Sequence, residues 1–300
     1  MLYYRRKILL AILEILNKSL TAKQFQKYLF LFTRRQTVKT YDFVPYKYGC
    51  FSFQANQDMQ VLINNGYVDM VEGDGEKEYK LRESNTHYIM ELDMFEQQYL
   101  RDIKRQFGNY TQNDLIKYTY VNYPFWAINS AIADTLLNDE ELANVKKQKK
   151  VFHETQLFTI GYEGLSLEQY INKLLLKDIR VLCDVRKNAY SQKYGFSKAV
   201  LSKACAGANI EYIHIPQLGI ESDKRQSLNC QIDYDILFDE YERTTLKDNQ
   251  EALLYVRSII DKNKRVALTC FEKDPKQCHR TRVANALMAL PDIDYSLMQL

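Results

Sequence analysis

Several side chains able to do chemistry are concentrated near the carboxyl end of the chain, in the stretch ALTCFEKDPKQCHRTRVANAL, which runs from Ala267 to Leu287. The stretch contains two Cys, one His, two Arg and one Glu between an apolar run and an amphipathic segment. Residues of these types can bind a metal, supply a thiol nucleophile, bind an anion or form an ordinary turn. The four alternatives make different demands on spacing.

A zinc site would take Cys270, Cys278 and His279 as ligands, since thiolates and imidazole suit this metal. Consecutive residues of a helix point about 100° apart, so Cys278 and His279 would reach one ion only with distortion. The chain also lacks a tight Cys-x-x-Cys pair. The sequence therefore predicts reduced thiols that bind no metal, and no cofactor.

A thiol mechanism would make Cys270 the nucleophile at a strand end, as in rhodanese-like and cysteine phosphatase loops. Those loops carry an Arg six positions after the Cys, where this chain has Lys276. The acidic Glu272 and Asp274 inside the loop would raise the pKa of the thiol and repel phosphate. In the purely structural alternative, Cys270 belongs to the core and Arg280 pairs with Asp184.

The anion-binding alternative uses the helix that begins near Lys276 or Cys278. The free N–H groups and positive dipole end of a helix N-terminus favour an anion. Arg280 and Lys276 add charge, and Arg186 is a candidate for a second bidentate clamp. This arrangement would suit a phosphate-bearing nucleotide or a segment of nucleic acid.

From Leu157 onward, segments typical of strands alternate with amphipathic helical segments. This alternation predicts an α/β domain with a parallel sheet and helices on both faces. Ligands of such sheets bind beyond the carboxyl ends of the strands. The expected cleft at that edge gathers Tyr162, Glu163, Asp184, Arg186, His214, Cys270, Glu272, Cys278, His279 and Arg280. Glu272, Asp184 or Glu163 would be the acid or base, with His279 or His214 as alternative proton carriers.

Five ordered segments of this half resemble the domain-of-unknown-function family 488: FTIGYEG, DVR, GFSK, IEYIHIPQLG and LTCFEKDPKQCHR. The resemblance covers residues 157–290 and implies a Rossmann-like α/β domain without a settled reaction. One departure is visible, because the family has a Pro after its DVR segment where this chain reads DVRKNAYS. The loop after Arg186 is therefore expected to differ in shape.

The first half has a different pattern. Helical periodicity predicts helices over Tyr4–Asn17 and Thr21–Arg34, with Thr21 as the N-cap of the second. Ser52 is the predicted cap of a third helix, which Asn64-Asn65-Gly66 is expected to end in a left-handed turn. YVDMVE and KEYKLRE, on either side of Asp74-Gly75, predict a hairpin. Helices followed by a two-stranded wing are typical of a winged helix. The segment FVPYKYGCFS resembles the "yGPfs" segment of Panacea-type antitoxin domains, with Cys50 in place of the Pro. We predict a winged-helix-like domain (1–86), a helical connector (87–150) and the α/β domain (151–300).

Composition restricts the function classes only in part. The net charge of +3 neither requires nor excludes a nucleic-acid partner. No apolar run is long enough for a membrane span. The basic and apolar start of the chain fits an amphipathic helix better than a signal peptide, which favours a cytoplasmic protein. The basic residues Arg34, Arg35 and Lys39 lie close together and are candidate phosphate contacts on DNA.

These observations leave three function classes. The first is an enzyme, such as a hydrolase, that processes a nucleotide or nucleic acid in the cleft, joined to a winged-helix-like domain that binds DNA. The second is a DNA-binding regulator whose α/β domain senses a nucleotide without turning it over. The third is a protein-interaction or toxin-neutralising role. The first two differ in whether a carboxylate is poised beside the ligand.

Overall fold

The computed structural model of the protein describes residues 2–73, 75–221, 223–225, 228 and 230–300. The chain divides into two compact units, Met1–Lys149 and Lys150–Leu300. Along the described part of the chain, no helix combines the length and apolar character that crossing a lipid bilayer requires. All six cysteines lie in described residues and carry free thiols.

The N-terminal unit is mainly helical, as the sequence predicts. Its helices are α1 (Tyr4–Leu16), α2 (Ala22–Thr33), α3 (Phe53–Asn64), α4 (Met94–Phe107), α5 (Gln112–Asn122), α6 (Ala133–Leu136) and α7 (Asp139–Gln148). The predicted caps are confirmed, because Thr21 and Ser52 precede α2 and α3 and their side chains accept backbone N–H groups of the first helical turn. Such caps satisfy donors that would otherwise lack a partner.

Short strands complete this unit: β1 (Leu20–Thr21), β2 (Val44–Tyr46), β3 (Gly49–Phe51), β4 (Val68–Glu72) and β5 (Lys77–Leu81). β4 and β5 form the predicted antiparallel hairpin, and β1 joins it in the order β1-β5-β4. Gly66, with φ of +74°, follows α3 in the predicted left-handed turn. Asp74 lies outside the described residues, so the predicted turn of the hairpin is described only at Gly75.

One hydrophobic cluster holds this unit together. It brings residues of α1 and α2 into the same core as residues of α4 and α5, among them Leu9, Phe30, Leu100, Phe107 and Leu115. The helices α4 and α5, which follow residue 87, therefore pack against the first two helices within a single unit.

A buried ion cluster ties α1 to α3. The carboxylate of Asp58 is fully buried and accepts hydrogen bonds from Arg5 Nε at 2.5 Å, Arg6 Nε at 2.8 Å and the Tyr41 hydroxyl at 3.1 Å. Burial alone would raise the pKa of Asp58, but the hydrogen bonds from both guanidinium groups outweigh it and hold the pKa below its ordinary value. Asp58 is therefore charged in the folded protein at neutral pH.

The C-terminal unit is built on five parallel strands. They are β6 (Gln156–Gly161), β7 (Val181–Asp184), β8 (Glu211–His214), β9 (Arg265–Cys270) and β10 (Ser296–Gln299), in the sheet order β10-β6-β9-β7-β8. The helices are α8 (Leu167–Leu176), α9 (Lys198–Gly207), α10 (Gln231–Tyr241), α11 (Gln250–Asn263) and α12 (His279–Met288). The predicted α/β class and parallel sheet are confirmed.

The strand order places helices on both faces of this sheet. α8 and α9 connect strands in one direction across the sheet, whereas α11 and α12 lie in connections that run back, and right-handed crossovers put the two pairs on opposite faces. Val181 and Cys183 pack in one cluster with residues of α11 and α12. On the other face, the Tyr170 hydroxyl of α8 donates to Thr269 of β9 at 2.7 Å.

The strand β10 was not predicted from the sequence. This strand is four residues long, lies at the edge of the sheet and is largely exposed. It therefore lacks the apolar run that marks the buried strands, and its pairing with β6 is a tertiary contact that local pattern does not encode.

The Asp58 cluster predicts a large stability loss in Asp58→Asn. The change leaves two guanidinium groups without their counter-charge, and we expect a loss of about 2–4 kcal/mol, below the ~3–5 kcal/mol of fully buried pairs because Arg5 is 40% exposed. Trp126, the only tryptophan, packs against Phe30 of this unit, so urea unfolding followed by its fluorescence measures the effect.

The same experiment has a pH signature. Because the folded pKa of Asp58 is depressed, its contribution is present above the unfolded pKa of about 3.9 and is lost as pH falls through the folded pKa. The difference between wild type and variant should therefore shrink below about pH 4. Asp69→Asn, which breaks the exposed pair with Arg82, is the control and should change little. Equal midpoints for wild type and Asp58→Asn at pH 7 would contradict the account.

Candidate functional site

The carboxyl ends of four neighbouring strands meet at one edge of the parallel sheet. In the strand register, Gly161 of β6 lies beside Cys270 of β9, and Asp184 of β7 lies beside Thr269 on one side and His214 on the other. The predicted convergence is therefore present in the backbone. The loops that leave these strands determine which side chains reach a common space.

The loops after β6 and β9 are bonded to each other. The N–H of Glu163 donates to the carbonyl of Phe271 at 2.9 Å, and the Glu163 carboxylate accepts the N–H of Lys273 at 2.8 Å. A Cβ on Gly161 would lie 1.9 Å from the carbonyl oxygen of Glu272, so only glycine permits this approach. Glu163, a predicted acid or base, thus holds the two loops together.

Asp184 and Arg186 form a buried ion pair at the end of β7. Arg186 Nε donates to Asp184 Oδ1 at 2.8 Å, and its Nη1 donates to the Tyr162 hydroxyl at 2.8 Å and to the Phe196 carbonyl at 2.9 Å. The Tyr212 hydroxyl donates to Asp184 Oδ2 at 2.6 Å. Both charges are engaged within the protein.

The electrostatics of this pair follow from its burial. Desolvation alone would lower the pKa of the Arg186 guanidinium, but the hydrogen bonds and charge of Asp184 outweigh it and raise the pKa above its ordinary value. Arg186 therefore stays charged, with Asp184 as its counter-ion. The hydrogen bonds of Arg186 indicate that it orients the loop after β7. They do not favour the predicted role of Arg186 as an anion clamp.

Arg280, at the start of α12, is also used inside the protein. It is 2% exposed, and its guanidinium donates to the carbonyl oxygens of Glu272 and Lys273. It therefore fastens the loop after β9 onto α12. The structural alternative, in which Arg280 pairs with Asp184, is not the arrangement found, because Asp184 pairs with Arg186.

Cys270, Cys278 and His279 come together beneath this edge. One ligand atom from each lies within 4.8 Å of the others, and Cys270 Sγ is 3.6 Å from His279 Nδ1. Burial raises the pKa of the Cys278 thiol well above its ordinary value. Cys278 precedes α12 in an extended conformation, with φ −132° and ψ 130°, so the helical rotation that argued against a shared ion does not apply. That argument from the sequence was wrong.

A cleft of about 270 Å³ opens above these groups. Its volume is near the lower end of the range for ligand sites, roughly 300–1,000 Å³. Residues that line it include Tyr162, Lys187, Tyr190, Cys270, Phe271 and His279. The cleft therefore combines a thiol and an imidazole with aromatic rings and a cation.

Several predicted residues lie outside the lining of this cleft. The Glu272 carboxylate is half-buried, with Oε2 3.4 Å from Cys270 Sγ. His214 Nε2 lies at hydrogen-bond distance, 2.8 Å, from the Arg186 carbonyl oxygen. Lys276 is exposed. Asp184, although part of the edge, is buried below it.

The residues at the rim of the cleft, Lys187, Tyr190 and Phe271, were not predicted from the sequence. Lys187 and Tyr190 follow Arg186 in the segment KNAYS, and Phe271 follows Cys270. The available signal was the position of these residues directly after strand ends. An active site is usually predicted from its ionisable catalytic residues. Tyr190 and Phe271 are aromatic residues of a common kind, so the sequence alone did not mark them as site residues.

Comparison with known families agrees with the fold. Residues 166–287 match the family described as domain of unknown function DUF488, which confirms the resemblance seen in the sequence. The matched segment lies within the C-terminal unit and includes Cys270, Cys278 and His279. No curated protein matches the chain.

Proposed function

We propose that the C-terminal unit is a hydrolytic enzyme that acts on a nucleotide or on a segment of nucleic acid held in the cleft. The rim of the cleft carries this proposal. Tyr190 and Phe271 are 77% and 42% exposed and line the cleft together with Lys187, whose Nζ forms a solvent-accessible ion pair with Glu221 at 2.8 Å. Exposed rings bind bases by stacking, and neighbouring cations attract phosphate.

Glu272 is the carboxylate best placed to transfer a proton. Its Oε2 lies 3.4 Å from Cys270 Sγ, which lines the cleft. The carboxylates of Asp184 and Glu163 are less suitable, because they hold Arg186 and the Lys273 N–H in place. A positioned carboxylate contributes roughly 10²–10⁴-fold to a rate when it gives or accepts a proton in the transition state.

A regulator that senses the same ligand without turnover is the second candidate. The observation that favours it is that the predicted acids have partners within the protein: Asp184 and Glu163 form contacts that hold loops, and Glu272 Oε2 lies 3.4 Å from the Cys270 thiol. A sensor needs the stacking rings and the cation but no poised carboxylate. The enzyme and the regulator would bind the same class of ligand, and they differ only in whether the ligand is hydrolysed.

We also propose that the N-terminal unit binds duplex DNA. Its first three helices and the β1-β5-β4 sheet follow the order of a winged-helix-like domain. The candidate phosphate contacts Arg34 and Lys39 are exposed, and the Arg34 guanidinium lies 5.5 Å from the centre of the Tyr123 ring. The third candidate, Arg35, lies 3.4 Å from Asp102. The exposed side chains of α3 are amides, which can contact base edges: Asn56, Gln57, Gln60 and Asn64.

The first test concerns the rim. Tyr190→Ala removes a stacking ring, and we expect affinity for mononucleotides or short single-stranded oligonucleotides to fall by roughly 5- to 150-fold, the equivalent of about 1–3 kcal/mol per stacked base. Calorimetry with the full chain gives this ratio. Tyr255→Ala, which removes a ring of α11 that is 51% exposed, is the matched control. Equal losses in both variants, or none in either, would refute the stacking role.

The second test separates enzyme from sensor. Glu272→Gln keeps the shape of the side chain, so binding should persist while product formation, followed by mass spectrometry, falls by roughly 10²–10⁴-fold. Glu251→Gln on the exposed face of α11 is the control and should leave turnover unchanged. If wild type binds the ligand and forms no product over long incubation, the regulator is the correct alternative.

The third test concerns DNA. Replacing Arg34, Arg35 and Lys39 together by Ala should weaken duplex binding and reduce the slope of log K against log salt by about one for each phosphate that the variant no longer neutralises. A second variant with Ala at the exposed Lys146, Lys147 and Lys149 removes the same charge elsewhere in the unit. If both triple variants bind equally weakly, the binding is nonspecific attraction to net charge and the assigned phosphate contacts are wrong.

A further inference from the structure

The spacing of the buried Cys270, Cys278 and His279 is that of metal ligands. Each of the three residues is at most 1% exposed. In a tetrahedral site with Zn–S of about 2.3 Å and Zn–N of about 2.0–2.1 Å, a sulfur and a nitrogen ligand stand about 3.6 Å apart. The distance between Cys270 Sγ and His279 Nδ1 is 3.6 Å. These two atoms already have the separation that one ion would give them.

His279 presents the nitrogen that such an ion needs. Its Nε2 lies 2.8 Å from the carbonyl oxygen of Val185, and since a carbonyl only accepts, Nε2 carries the proton. The lone pair of Nδ1 therefore faces the Cys270 sulfur. Metal-binding imidazoles almost always donate their second N–H to an oxygen in this manner.

The backbone supplies the ligands from two rigid elements. Cys270 is the last residue of β9, and His279 is the first residue of α12. Cys278 caps that helix in extended conformation, which lets neighbouring ligands turn toward one point. The loop between the two elements is held by Arg280, whose guanidinium donates to the carbonyls of Glu272 and Lys273.

We propose that Cys270, Cys278 and His279 bind one zinc ion whose fourth coordination position opens to the cleft. Two thiolates and an imidazole suit zinc and exclude the oxygen-seeking Mg²⁺ and Ca²⁺. Cys270 and His279 line the cleft whereas Cys278 does not, so the ion has its free side toward the opening. Three protein ligands with one open position are the arrangement of catalytic zinc sites, which hold a water there.

Glu272 is the carboxylate nearest to these ligands by contact, since its Oε2 is 3.4 Å from the Cys270 sulfur. The metal site itself does not depend on the nucleotide proposed above, since its ligands are defined by the protein alone. Failure of nucleotide binding would leave it standing.

Titration of the chelator-treated, reduced 300-residue chain with Zn²⁺ or Co²⁺ tests the site. We expect one ion per chain, and Co²⁺ should give a sulfur-to-metal charge-transfer band and the intense visible bands of four-coordinate cobalt. Cys270→Ser, Cys278→Ser and His279→Gln should each weaken binding by roughly 100-fold or more, beyond the 10–100-fold typical of outer-shell changes. Cys230→Ser, at the exposed cysteine, and His214→Gln are the controls and should bind as wild type does.

In this titration, the proposal is overturned if the wild type shows no stoichiometric binding or if the ligand variants bind with unchanged affinity. Zinc-edge X-ray absorption of the wild type requires no variant and so remains decisive if a ligand variant fails to fold. It should show two sulfur neighbours at about 2.3 Å and lighter neighbours at about 2.0–2.1 Å. A shell of oxygen and nitrogen alone would place the ion elsewhere and refute the assignment.

The open position has its own test. Thiocyanate added to the Co²⁺ protein should shift the visible bands, because a small anion replaces the water and the metal stays bound to its three protein ligands. An unchanged spectrum over a wide range of thiocyanate would show a closed coordination shell and overturn the open position. Perchlorate at the same ionic strength should leave the bands unchanged, because this anion coordinates metals only weakly, and it controls for effects of ionic strength.

Discussion

The buried ion pair between Asp184 and Arg186 is the interaction on which the geometry of the carboxyl edge depends. Asp184 ends β7 with its carboxylate fully buried, and a buried carboxylate is tolerable only with a charged partner and further hydrogen bonds. Arg186 provides the charge and donates to the Tyr162 hydroxyl and the Phe196 carbonyl, so that the loops after β6 and β7 are drawn to one point. Removal of either partner would leave an uncompensated charge in the interior.

The residue between the two charges connects this pair to the cleft. The N–H of Val185 donates to the Thr269 carbonyl of β9 at 3.2 Å. The carbonyl of Val185 accepts a hydrogen bond from His279 Nε2, which fixes the orientation of the imidazole. The orientation of the imidazole is thus set by a backbone held on both sides by the ion pair. Arg280 plays the corresponding part for the loop after β9. The two arginines that the sequence suggested as anion clamps instead keep the Cys and His groups in place.

The limits of the sequence follow from the same contacts. Alternating strands and helices, the caps at Thr21 and Ser52 and the gathering of strand ends are properties of local pattern, and these were predictable. The partner of Arg186 was not, because the choice between Asp184 and a ligand depends on burial that only the folded chain defines. Cys278 was misjudged for a related reason: the turn Pro275–Gln277 leaves it extended before α12, which a helical wheel does not represent.

The most direct test of this account locates the ring proton of His279. Long-range ¹H–¹⁵N NMR of the metal-free, reduced protein shows which ring nitrogen carries it. The chain has four histidines, and the spectrum of His279→Gln identifies the signal. We predict that a ring proton lies on Nε2 and that Nδ1 carries none, and we predict a large shift of Nδ1 when one equivalent of Zn²⁺ is added. A proton on Nδ1, or no response of that nitrogen to zinc, would contradict both the orientation of the imidazole and its role as a ligand.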